Sequence, residues 1–278
     1  MHGYLHQDFE ARRERSPSFP ERAKRNPHTA PGKLNICGSL DAAPCVAMME
    51  PMMNFPNPKI GAQESIEQAS PVIFLGPTLP IERAQAILKA RYLPPIRRGN
   101  LDMIRTPVRI GIIDGVLDDG IRIESNEISA ASERGLRIYG AGSTGALLAA
   151  TDRKKVVQGI GSVYRFLASY PHLRTLIEIL YTEPDHETLT LPLINVVLSL
   201  EKHYPHKSLN IAEQLRLIPL PERSGVSVRT VLANCGIRDP EKIMAFNYKS
   251  DDATRLLKWL GLLEELDAWY RRTPNSME

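Results

Sequence analysis

A chain of 278 residues with 42% hydrophobic content can build one sizeable domain or two small ones. Its formal charge of +3 comes from scattered basic residues with no aromatic-interleaved stripe, so no nucleic-acid partner is expected. Three widely spaced cysteines (Cys37, Cys45, Cys235) and seven dispersed histidines indicate neither a disulfide framework nor a metal site, and no cofactor is expected.

No apolar run reaches membrane-spanning length, and the opening HQDFEARRERSPSF is charged rather than signal-like. The expectation is therefore a cytoplasmic protein with no membrane association. Residues 1–68 carry much proline, methionine and charge without period, and read as a disordered or ill-defined extension. Folded character begins at Pro71. Val72-Ile73-Phe74-Leu75 is the apolar run of a strand covered on both faces. Gly76-Pro77-Thr78 ends it, with Thr78 as cap for a helix over 80–91, and a Pro-rich loop follows from Leu93 to Asn100.

A second strand, 108–113, closes on Asp114-Gly115, and a helix over 126–134 stops at Gly135. The third strand is Leu136-Arg137-Ile138-Tyr139. Gly140-Ala141-Gly142 breaks it, and Ser143-Thr144 open the next helix. Three strand–helix alternations predict an α/β fold: a short parallel sheet of βα units over 69–160. A mainly helical C-terminal part, 161–278, completes it. Beyond Lys155 the spacing predicts helices at 156–170, 172–181, 190–203, 210–217, 226–234, 240–247 and 251–271.

In an open parallel sheet, ligands bind at the carboxyl edge of the strands, which makes Gly76–Thr78, Asp114-Gly115 and Gly142–Thr144 the default site. The spelling Ala141-Gly142-Ser143-Thr144-Gly145 is one residue from the Gly-x-Ser-x-Gly nucleophile elbow. Ser143 reads either as a nucleophile or as a plain N-cap, and Asp114 either as an active-site acid or as an Asx-turn residue. Arg97-Arg98 would suit an anionic group or simply be solvated, and Lys249 reads by default as an exposed lysine before the last helix.

Several motifs resemble those of the TfuA-like proteins. Phe74-Leu75-Gly76-Pro77-Thr78-Leu79-Pro80 is similar to that family's FLGPSLP, and Pro94-Pro95-Ile96-Arg97-Arg98-Gly99-Asn100-Leu101 to its PPxKRGDL loop. Gly111-Ile112-Ile113-Asp114-Gly115 resembles the IGIIDG strand end, Glu127-Ile128 a short acidic helix motif, and Tyr139 to Leu147 the YGASSMGAL elbow. Gly159-Ile160-Gly161, Leu193-Ile194-Asn195-Val196 and Lys249-x-x-Asp252-Ala253 echo further segments.

The resemblance implies an accessory protein working beside a YcaO-type enzyme on a ribosomally made precursor peptide, notably in backbone thioamidation. It further implies hydrolysis of a thiocarboxylated ubiquitin-like sulfur carrier by a Ser–Lys pair. Ser143 matches the elbow serine, and Lys249 is the first choice of lysine. Oxyanion donors are expected at Thr144 and in the Gly76–Thr78 loop, and Arg97-Arg98 are expected to capture the carrier's anionic end. Gly142, Thr144, Leu148, Thr151 and Asn100 depart from the family's pattern, removing charges near the site. The alternative is a non-catalytic adaptor that recruits the enzyme or its peptide.

Overall fold

The computed structural model describes residues 34–37, 70–106, 108–183 and 185–272. Its centre is a five-stranded, all-parallel sheet: β2 (Val72–Phe74), β3 (Arg91–Leu93), β4 (Arg109–Ile112), β5 (Arg137–Ala141) and β6 (Val157–Ile160). They lie in the order β3-β2-β4-β5-β6. The chain moves outward from β2 to β3, then returns to place β4 on the other side of β2. This is the doubly wound arrangement, and its switch point lies between β2 and β4.

Helices cover both faces. Ile73, Ile113, Tyr139 and Ala141 pack beneath α1 (Ile81–Ile87) and the last helix, which runs from Tyr248 to Arg272. Val72, Phe74, Ile110, Ile112 and Ile138 face α2 (Ser125–Glu133) and α3 (Thr144–Thr151) on the other side. Successive strand residues thus alternate between two dry layers, as the period of two requires. A third core joins α3 to α4 (Ser162–Ser169), α5 (Leu193–His203), α6 (Pro205–Leu215), α7 (Gly225–Asn234) and α8 (Pro240–Met244). The last helix is α9.

The α/β architecture with a helical C-terminal part stands as expected, but four elements differ. The helix expected over 80–91 stops at Ile87, and Arg91–Leu93 forms edge strand β3. The helix expected over 156–170 is strand β6 followed by α4. Gly159 and Gly161 are the reason: a Cβ on Gly159 would lie 2.2 Å from the Tyr164 ring, and Gly161 has φ of 100°. The segment 172–181 is a 3-10 helix, Pro171–Ile177, followed by β7 (Ile179–Thr182). Finally, β1 (Leu34–Cys37) pairs antiparallel with β7, so part of the expected structureless extension is a strand. Nearly all the remainder of 1–68 lies outside the described residues.

The last helix is anchored to the sheet by an internal cation. Arg109 in β4 is buried, and its guanidinium donates to Glu264 at 2.5 Å and to Asp267 at 2.6 Å. Burial pulls its pKa down, but hydrogen bonds and charge from the two carboxylates outweigh that and raise it. Among the described residues no helix is long and apolar enough to cross a membrane.

Candidate functional site

The loops at the carboxyl ends of β2 and β4 meet at the switch point, and Asp114 ties them together. Its Oδ2 accepts from the backbone N–H of Gly76 at 3.0 Å and of Thr78 at 3.1 Å, while Oδ1 accepts from the Thr78 hydroxyl at 2.6 Å. Asp114 is 3% exposed. Three donors on one carboxyl group offset its desolvation and tie the two loops together.

The elbow lies on the neighbouring strand end. Gly142 has φ of 70°, open to glycine at no steric cost. A Cβ there would sit 2.9 Å from the Lys249 carbonyl oxygen and 3.4 Å from the Thr78 methyl. Gly145 is pressed equally tightly: a Cβ would come within 1.8 Å of the Ile112 carbonyl oxygen. The glycines thus let α3 begin against the sheet, and they bring Ser143 beside segments from β2 and α9. Thr144 donates its hydroxyl to the Gly115 carbonyl at 2.9 Å. The Ser143 N–H donates to the Ala141 carbonyl, and its side chain makes no cap bond to α3.

Lys249 is not an exposed residue preceding the last helix. It lies in the first turn of α9, 2% exposed, and Nζ donates to the Ile177 carbonyl at 3.2 Å. Two asparagines hold that turn. Asn195 Oδ1 accepts from the Lys249 N–H, Asn195 Nδ2 donates to Asn247 Oδ1, and the same Asn247 oxygen accepts from the Ser250 N–H. Asn195 was visible in the sequence as part of a motif, but nothing there connected it to Lys249. A cavity of about 210 Å³ is lined by Thr78, Asn195, Asn247 and Lys249.

The expected residues therefore fall into two groups. Thr78, Asp114, Ser143, Thr144 and Lys249 are all buried, Ser143 at 1% exposure. Asp114 holds Thr78 and Gly76, and the Thr78 and Lys249 segments flank Gly142, the residue before Ser143. The Gly76 and Thr78 N–H groups expected to receive an oxyanion are held by Asp114 here. Arg97 and Arg98 stand apart, partly exposed, each paired with a carboxylate: Arg97 with Glu183 at 2.5 Å and Arg98 with Glu124. Their loop is pinned by Glu127, whose carboxylate accepts from the Gly99 and Leu101 N–H groups, both at 3.0 Å.

Beyond α3, a second cavity of about 670 Å³ is lined by Thr144, Leu147, Arg122, Arg174 and Glu178. Burial pushes the Glu178 carboxyl up to about 7, against the opposing charges of Arg223 and Arg174. No local motif marks Glu178. Among the described residues no group of three or more His, Cys, Asp or Glu side chains is placed to hold a metal ion.

These features define an α/β protein of doubly wound order, with a buried polar cluster at the switch point and a glycine elbow beside it. The model of the TfuA-like protein family matches residues 114–230, so the chain is similar to that family over this stretch. The match spans the elbow and the Asn195 motif; the Gly76–Thr78 and Lys249 segments lie outside it. No curated protein matches the chain.

Proposed function

We propose that this protein is a cytoplasmic accessory to a YcaO-type enzyme in backbone thioamidation of a ribosomally made precursor peptide. Its elbow site then releases hydrosulfide from a thiocarboxylated, ubiquitin-like carrier. The observation that supports the reading best is the convergence at Gly142: the backbone of Lys249 and the side chain of Thr78 both press on the residue preceding Ser143. Burying polar groups is costly unless they are hydrogen-bonded, and Thr78, Asp114, Thr144 and Lys249 all are.

In this chemistry Ser143 Oγ attacks the thiocarboxylate carbon and passes its proton to the Lys249 amine. The carbonyl oxygen takes up the negative charge, then the Lys249 ammonium gives its proton to the sulfur as the C–S bond breaks and hydrosulfide leaves. Water attacks the resulting ester, which restores the serine hydroxyl. The net change converts thiocarboxylate and water into carboxylate, hydrosulfide and one proton. A lysine works as base only when neutral, the form that burial favours. Substrate reaches Ser143 only if the Thr78 loop and the start of α9 part, which also frees N–H donors from Asp114 for the oxyanion. An anionic carrier tail would exchange with the Glu183 and Glu124 partners of Arg97 and Arg98.

The burial of Ser143, at 1% exposure, favours a second reading, in which the same fold is a non-catalytic adaptor that recruits the enzyme or its peptide. Single-turnover release of hydrosulfide from a thiocarboxylated carrier separates the two. Catalysis predicts release by the native protein and a loss of at least about 100-fold in Ser143→Ala. Release by neither, with binding to the YcaO partner intact, establishes the adaptor.

A further inference from the structure

Helix α9 is apolar on two sides. Its inner side packs on the sheet through Ala253, Leu256, Leu257 and Leu260. Its outer side carries Trp259 (46% exposed), Leu262 (58%), Leu266 (48%) and Trp269 (56%). Their spacing of three, four and three residues is the a/d repeat of a coiled-coil seam, and it runs down a helix whose other face is already used. Two tryptophans and two leucines aligned on one outer face differ from the scattered apolar residues of an ordinary surface.

The charges beside this seam identify what covers it. Lys258 and Glu265 are one heptad apart on the same edge of the stripe, and both are exposed. The residues in corresponding positions on the opposite edge are Leu263 and Tyr270, which carry no charge. Parallel packing of two such helices would set the charged edge of one against the uncharged edge of the other. Antiparallel packing sets like edges together, so Lys258 of each copy faces Glu265 of the other. This ion pair forms twice by symmetry, as a two-fold interface requires.

We propose that the outer face of α9 is the interface of a homodimer in which two copies of this helix pack antiparallel along Trp259, Leu262 and Leu266. The inference does not depend on the elbow chemistry. Analytical ultracentrifugation of the full chain over a concentration series tests it. The native protein sediments as a dimer, and Leu262→Glu, an exposed change that leaves the circular dichroism melt in place, sediments as a monomer. Lys258→Glu and Glu265→Lys each weaken the dimer by about tenfold, and an equimolar mixture of the two variants restores it. A native monomer throughout the series overturns the proposal, as it would if another protein or another segment of this chain covered the stripe. A dimer that survives Leu262→Glu overturns it as well. So does a dimer that the mixture of charge variants fails to restore.

Discussion

Asp114 grips Thr78 at two points, taking the hydroxyl on one carboxylate oxygen and the backbone N–H on the other. With the Gly76 N–H added, a single side chain from the end of β4 fixes the whole loop after β2. Asp114→Ala would leave three donors without their acceptor in a buried place. The expected cost is about 3 kcal/mol of stability, against about 1 kcal/mol for Thr78→Val, read from denaturant midpoints at unchanged slope.

The same carboxylate bears on ligands. In doubly wound sheets the switch-point loops commonly receive an anion on free N–H groups, but here the Asp114 side chain already occupies the Gly76 and Thr78 N–H groups. Inorganic phosphate and nucleotides are therefore expected to produce no rise in melting temperature. A clear concentration-dependent rise would show that Asp114 yields the loop to a ligand.

Gly161 and Asp252 make a second tight pair. Asp252, fully buried on α9, accepts from the Val163 N–H at 2.7 Å and so caps α4 from a distant helix. Burial raises its pKa, while hydrogen bonds from the Val163 and Ser162 backbone oppose the rise. A Cβ on Gly161 would lie 2.1 Å from the Asp252 carboxyl carbon, at φ of 100°. Gly161→Ala is expected to cost about 3 kcal/mol and Asp252→Ala about 2 kcal/mol. The double variant should cost less than the sum, because removing the carboxylate makes room for the methyl group.

Glu178 gives the protein a pH dependence. Its carboxyl is raised from 4.5 to about 7 in the folded state, by burial first. Between these values the folded protein holds a proton that the unfolded chain has released, so stability falls as pH rises through the interval. The contribution is fully present below 4.5 and lost above about 7. Glu178→Gln should flatten the fall, as measured by urea unfolding on either side of the interval. An unchanged slope would place the dependence on another group.

β2 and β4 are legible because burial on both faces writes itself as apolar runs, as at Val72–Leu75 and Ile110–Ile113. The helices expected over 156–170 and 172–181 cover what are β6 and β7. Val157-Gln158-Gly159-Ile160 has no run of its own, and Ile179–Thr182 is too short to display a period. Of the site, Ser143 and Asp114 could be chosen because glycines and strand ends mark them locally. Lys249 was assigned to the surface, since a lysine is buried only when distant groups supply its acceptors, here the carbonyl of Ile177.

By itself, the sequence determined the kind of fold, the elbow and the kinship, since each rests on residues close together in the chain and on backbone preferences that act locally. Tertiary structure decided what the polar motif residues do. Asp114, Glu127 and Asp252 each spend a buried carboxylate on N–H groups between 26 and 89 residues away. A carboxylate in a dry interior needs hydrogen-bond donors, and these come from whichever loop the packing delivers. Spacing along the chain does not encode that delivery.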